Sequence, residues 1–432
     1  MCPRGSAPLK HCVHSRNGPN LTTRQLATSH VCLGTAASHG TQQGKEKVIV
    51  LTGATAVGKT KASIELAQRI GGEIISADSV QVYKGLDVGS DKILPAERGG
   101  IPHHLIDILS PHEEFSAGDF FERARTATAD ILQRGKVPIV VGGTGFYLRW
   151  FVHGRPQTPA SSPESAQRVQ ELLTQAWEKE AAAEHGALTS EQKWEAGRQL
   201  VTSLGDPGSA ERLAEVPGNW YRLNRVLEIL LSTGRPLGEL NLDVEAPLDY
   251  DFRCFFLNRS RLELYRRIDA RVEAMVCGGL LQEANWLLGE GLQADAKCAA
   301  RAIGYRQAML FLQRCRGDPS HVTADNLVQM VRDVQAASRK LCHRQLSWFR
   351  DERLFKWLEG DRPVGSIVDD IVADFSSPVN PGSSHDQGML TKEQERELRM
   401  YVTQLSHVND TDIQQSLLQE VRCMIAKPPM VA

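Results

Sequence analysis

The chain has 432 residues, 41% hydrophobic and 24% charged, with a formal net charge of −2. That length allows about two or three domains with buried cores. No stretch approaches the roughly 18 unbroken apolar residues of a membrane helix. Nine scattered cysteines with no Cys-x-x-Cys point to reduced thiols, not to a disulfide frame or a zinc site.

Residues 1–45 contain no Asp or Glu and carry Arg4, Lys10, Arg16, Arg24 and Lys45 among many Ser and Thr. This composition predicts a plastid or mitochondrial transit peptide, with an unaddressed extension of a cytoplasmic protein as the alternative. The folded part opens with the apolar run Lys47–Thr52, a predicted buried strand. A Gly-rich turn follows, then a predicted helix over Lys61–Arg69 with Ile64, Leu66 and Ala67 at helical intervals. Glu73–Ser76 and Val137–Val141 read as further strands, the latter entered from a helix around Phe120–Arg134. Strands alternating with helices predict a three-layer α/β fold on a parallel sheet. Residues 163–240 are rich in Ala, Glu, Gln, Leu and Arg and read as several helices. Phe252–Leu257 is a returning strand, and long helices are predicted over Arg261–Glu290 and Ala324–Trp348.

The expected organisation is therefore an extension (1–45), a first core segment (46–157), a helical insertion (158–249), a core completion (250–352) and an acidic, partly disordered tail (353–432). Disorder is expected for much of Gly360–Gly388, and a late amphipathic stretch over Lys392–Val421. Between Arg253 and Arg350 sixteen Lys/Arg stand against nine Asp/Glu; from Asp351 on, eight stand against fourteen. A basic segment can face phosphates, although a solvated helix face explains it equally well.

The most specific local pattern is Gly53-Ala54-Thr55-Ala56-Val57-Gly58-Lys59-Thr60, a complete GxxxxGK[ST] between a strand and a helix. Glycines let backbone N–H groups turn toward an anion, the helix N-terminus adds positive potential, Lys59 adds charge, and Thr60 can ligate a phosphate-bound Mg²⁺. Nucleotide hydrolases and kinases usually follow such a loop with an acid after a second apolar strand. Here Val137–Val141 runs instead into Gly142-Gly143-Thr144-Gly145. The acid, Asp78, follows Glu73–Ser76. A diphosphate cradle with one separate carboxylate favours diphosphate as a leaving group and Asp78 as a base.

The stretch from Asp78 to Gly89 resembles the segment after the phosphate loop in tRNA dimethylallyltransferases. Pro102–Asp107, Phe115–Phe120, Val141–Tyr147, Arg222–Glu228, Arg301–Gln307 and Arg339–Arg350 match further blocks in the family's order. The resemblance implies a P-loop NTPase-like parallel core with an inserted helical domain, and transfer of a dimethylallyl group from dimethylallyl diphosphate to the N6 amine of the adenine 3′-adjacent to the anticodon. It implies that the loop from Gly53 to Thr60 holds the diphosphate with Mg²⁺ on Thr60, that Asp78 is the general base, that Thr144 lies at the reaction channel and that Arg271 supports the diphosphate. It implies tRNA contacts at Asp78, Ser79, Val80, Gln81 and Thr144, at Tyr221, Arg222, Leu223, Asn224 and Arg225, and at Arg301, Ala302, Ile303, Gly304, Tyr305 and Arg306, with Tyr305 available for stacking. The implied partners are the tRNA anticodon stem-loop and dimethylallyl diphosphate, for a monomer without membrane attachment. Only Cys423 lies beyond Trp348, so the Cys₂His₂ zinc finger of some eukaryotic members is not expected. His103 and His104 are expected to be buried or capping side chains. The competing readings are an adenylate isopentenyltransferase acting on free nucleotide and a P-loop small-molecule kinase.

Overall fold

In a computed structural model, residues 45–156, 158–159, 161–240, 248–295, 298–378 and 391–426 are described. Residues 1–44 of the predicted transit segment lie outside them. Six strands form one all-parallel sheet in the order β3-β2-β4-β1-β5-β6. They are β1 (Lys47–Gly53), β2 (Gly72–Ala77), β3 (His103–His104), β4 (Val137–Gly142), β5 (Asp251–Asn258) and β6 (Phe355–Glu359). Val50 at the centre pairs with Val140 on one side and Cys254 on the other. Successive residues of β1, β2 and β5 are buried without alternation, so both faces of the sheet are covered, as a parallel sheet requires. The predicted three-layer α/β core is the observed one.

Helix α1 (Lys59–Ile70) leaves the turn after β1, and α2 (Ala117–Gln133) packs on β2 and β4. Ser116 and Asp119 close a capping box at the start of α2. After α3 (Gly145–His153) come α4 (Pro163–Glu184), α5 (Ser190–Ser203), α6 (Pro207–Ala214) and α7 (Trp220–Thr233). These four bury their own apolar cluster, including Leu173, Trp194, Leu213, Leu223 and Leu227, apart from the main core.

The chain rejoins the sheet through β5 and continues into α8 (Arg261–Met275), a π-turn at Val276–Leu280 and α9 (Leu281–Gly289). The single helix expected over Arg261–Glu290 is thus two, because Gly279 adopts φ 123 and breaks the ladder. Helices α10 (Cys298–Arg301), α11 (Tyr305–Gly317) and α12 (Ala324–Arg350) follow.

The segment read as an acidic tail instead completes the core. Strand β6 adds to the sheet edge beside β5, and α13 (Val364–Ser376), where disorder was expected, buries Ile367, Val368 and Ile371 and packs on α1. The acids that suggested disorder lie on its outer side or are paired: Asp369 bonds Arg69 and Asp370 bonds Arg362. Helices α14 (Lys392–Arg399) and α15 (Thr411–Ala426) follow, joined by an irregular strap. The strap is held by two buried carboxylates of α8. Asp269 accepts from Arg339, from the Tyr401 hydroxyl (2.7 Å) and from the Gln404 N–H (3.0 Å). Glu273 accepts from the N–H groups of Ser406, His407 and Val408 at 2.8–2.9 Å.

Candidate active site

At the C-terminal edge of the sheet, the loop after β1 wraps the start of α1. Gly53 must be glycine because a Cβ there would sit 2.5 Å from the Leu257 carbonyl oxygen on β5. Gly58 takes φ 107 at the helix start, a conformation that turns the loop amides inward. Ala54 and Val57 are buried, Ala56 adopts φ 64, and Thr60 is exposed. Lys59 Nζ donates to the carbonyls of Gly53 (2.9 Å) and Ala54 (3.0 Å). Burial, and then the charge of Arg271, pulls the Lys59 ammonium down to about 8.

Arg271 reaches the loop from α8. Its Nη1 donates to Thr55 Oγ1 (2.9 Å), and its Nε lies 3.2 Å from Asp91. Asp78 follows β2, and its Oδ1 accepts from the N–H groups of Val80 (2.8 Å) and Gln81 (3.3 Å). That turn leaves Oδ2 uncommitted to it. Thr55, Asp78, Ser79, Val80 and Arg271 line one cavity of about 400 Å³ together with Arg301, Ala302 and Ile303. Its apolar wall comes from Ile268, Val272 and Met275 of α8 and Val334 and Leu341 of α12. Residues from five separate stretches of sequence therefore meet around one space.

The other sequence-derived residues divide. Thr144 is half-buried at the start of α3, without a capping bond and outside the cavity lining. Gln81 is tied within the protein by Ser76 and the Ser90 carbonyl. Tyr221 and Arg222 are exposed on α7, Asn224 is half-buried, and Arg225 pairs with Glu228 at 2.9 Å. Leu223 is fully buried in the insertion's core and offers no surface to RNA. Arg301 is exposed beside the cavity, while Arg306 pairs with Asp295 at 2.6 Å. Gly304 turns the chain at φ 96. Tyr305, expected to stack on a base, is 0% exposed. Its hydroxyl donates to Glu283 at 2.6 Å and its ring fills the space over Gly89. His103 and His104 are no metal pair: His103 bonds the Ile101 carbonyl, and His104 bonds Glu73 at 2.7 Å.

The family profile described as IPP transferase matches residues 81–352, and that described as isopentenyl transferase matches residues 46–112. The chain is 43% identical to "tRNA dimethylallyltransferase 9" of Arabidopsis thaliana, over 77% of this chain and 75% of that protein. It is 37% identical to a tRNA dimethylallyltransferase of Protochlamydia amoebophila, over 77% of this chain and 89% of the relative. The chain belongs to the tRNA dimethylallyltransferase family. Among solved structures of this family, it is similar to the tRNA isopentenylpyrophosphate transferase of Staphylococcus epidermidis, at 33% identity and a TM-score of 0.51, covering 76% of this chain and 98% of that one. A eukaryotic dimethylallyltransferase described as acting on tRNA matches at 26% identity and a TM-score of 0.57, with 76% and 79% covered.

Two site residues of this family member were not singled out from sequence. Gln345 accepts from Thr55 N–H and donates to the Gly143 carbonyl, both at 2.9 Å. It lies inside a block recognised as family-like, but nothing in the sequence indicated what its amide does. Glu283 on α9 accepts from the N–H groups of Asp87, Val88 and Gly89 at 2.8–3.0 Å as well as from Tyr305. It fixes the loop that brings Gly89 and Ser90 to the cavity. No sequence spacing pointed to it, because three of its partners are backbone groups almost 200 residues away. Glu283→Ala leaves these donors unpaired, each costing about 1–3 kcal/mol where water cannot replace the carboxylate. A stability loss of about 3 kcal/mol is expected, read as a lower urea midpoint.

Proposed function

We propose that the enzyme transfers the dimethylallyl group of dimethylallyl diphosphate to the N6 amine of the adenine 3′-adjacent to the anticodon in tRNA, releasing diphosphate. The observation that carries this reading is the cavity's division. Thr55 of the phosphate loop, bonded to Arg271, and Asp78 supply polar lining, and Ile268, Val272, Met275, Val334 and Leu341 supply apolar lining. A diphosphate joined to a short hydrocarbon matches that division; a wholly polar metabolite does not.

The reaction forms the bond from N6 to C1 of the dimethylallyl group and breaks the bond from C1 to the diphosphate oxygen. Asp78 takes the proton that the amine loses, which makes a weak nucleophile competent during attack. The loop amides, Lys59 and Arg271 receive the charge that develops on the departing diphosphate. The Thr60 hydroxyl is the protein ligand suited to a Mg²⁺ carried by the diphosphate, an ion that would further neutralise that charge. Among the described residues no three His, Cys, Asp or Glu cluster as a metal site. That suits an ion held mainly by substrate oxygens. Tyr221 and Arg222 on the insertion and Arg301 beside the cavity support the RNA side of this reading. A target base drawn out of its stack would enter the cavity that Arg301 lines. The acid-free, basic N-terminal composition supports action in a plastid or mitochondrion.

The test incubates the purified protein with dimethylallyl diphosphate, an A-rich anticodon stem-loop, AMP and ATP, followed by mass spectrometry of the RNA and the nucleotides. The expected result is one added five-carbon unit per stem-loop. Prenylation of AMP with the RNA untouched would instead establish the free-nucleotide reaction, and consumption of ATP with both untouched would establish a kinase.

A further inference from the structure

The geometry points to Gln345 as a positioning residue that sets the spacing between the diphosphate cradle and the base, an inference that rests on the transfer reaction proposed above. Gln345 projects from α12 between two loops that come from distant parts of the sequence. Its Oε1 accepts from the Thr55 N–H of the phosphate loop, and its Nε2 donates to the Gly143 carbonyl of the Gly142–Gly145 turn, both at 2.9 Å. One partner is a donor and the other an acceptor, so the amide orientation is fixed and only a group presenting both functions serves.

The surroundings are built around this amide. A Cβ at Gly143 would stand 2.4 Å from Gln345 Nε2, so the glycine there makes room for it. A Cβ at Gly142 would stand 2.1 Å from the carbonyl oxygen of Ala77, the residue that precedes Asp78. The turn held by Gln345 thus lies directly against the backbone that carries the base. On the other side, Thr55 is held twice, through its N–H by Gln345 and through its hydroxyl by Arg271. A single side chain therefore links the cradle, the Gly-rich turn and, through Gly142 and Ala77, the base. Gln345 touches no reacting atom in this arrangement. Its effect is on the distance over which the amine must attack, where about an ångström of misplacement costs about 10²-fold in rate.

Gln345→Glu provides the test. The carboxylate keeps the acceptor for Thr55 but repels the Gly143 carbonyl; once protonated, it restores a donor and an acceptor in the same shape. With wild type active on the stem-loop, the expected result at pH 8 is a kcat lower by about 10²-fold with KM for dimethylallyl diphosphate changed by less than about fivefold. The variant-to-wild-type ratio of kcat should then climb as pH falls to about 4.5, close to the ordinary glutamic acid pKa of about 4.3, because a large share of the side chain is there in its acid form. Gln345→Met should stay low across the whole range. Gly143→Ala, which displaces the amide while leaving Gln345 in place, should reproduce the Gln345→Met phenotype and serves if Gln345→Glu does not fold at pH 8. A pH-independent ratio, or wild-type kcat in Gln345→Met or Gly143→Ala, would overturn the assignment. An inactive wild type would overturn the transfer reaction itself and is read from the same assay.

Discussion

Asp78→Asn is expected to lower kcat by about 10²- to 10⁴-fold while leaving affinity for dimethylallyl diphosphate within about threefold. The substitution isolates the base from the fold. Asp78 Oδ1 accepts from the Val80 and Gln81 N–H groups, and an asparagine carbonyl oxygen can accept the same two bonds. What disappears is the ability of the second oxygen to take a proton. Rapid-quench single turnovers, with the RNA product followed by mass, measure the chemical step, and calorimetry measures diphosphate affinity. A variant that retains more than about a tenth of the wild-type rate would reduce Asp78 to a turn-forming residue.

Lys59→Met is expected to lower kcat/KM by about 10²- to 10³-fold, the scale of losing one preorganised charge at a developing anion. Methionine keeps most of the aliphatic stem, so the loss reports the ammonium. Its pH dependence has a definite sign. In the free enzyme, burial and Arg271 lower the Lys59 ammonium to about 8. A bound diphosphate favours the charged form and raises that value. Below about pH 8 the ammonium is already charged and affinity is level. Above it, binding must take up a proton, and affinity falls by up to about tenfold per pH unit until the pKa of the complex is reached. Lys59→Met should bind weakly and without this alkaline limb. Titrations from pH 7 to 10 decide the matter, and a limb that survives in the variant would belong to another group.

The parts of this molecule legible in its sequence are those governed by local rules. Strands β1, β2, β4 and β5 announce themselves as apolar β-branched or aromatic runs, and the phosphate loop by its spacing. The convergence of Thr55, Asp78, Arg271 and Arg301 on one cavity followed from the family resemblance, not from any local pattern. Contacts across the fold were illegible. Tyr305 sits in a block whose arginines suggest a nucleic-acid surface, yet Glu283 and Gly89 draw its ring inside. Leu223 belongs to a segment with exposed Tyr221 and Arg222 but points into the insertion's own core, as the helical period of α7 requires. Strand β6 and α13 were hidden by acids that composition reads as a solvated tail. In the fold Asp374 pairs with Arg253, an arginine buried under the sheet edge.

The strap over α8 ties completion of the site to the order of synthesis. Until residues 401–408 arrive, Asp269 lacks its tyrosine and amide donors, and Glu273 lacks its three amides. Without the strap Asp269 keeps only Arg339 among these partners and Glu273 faces water, so α8, which presents Arg271, loses one of the contacts that fix it. A chain cut short after Arg350 would keep every recognisable motif and still lack the clasp that sets its arginine in place.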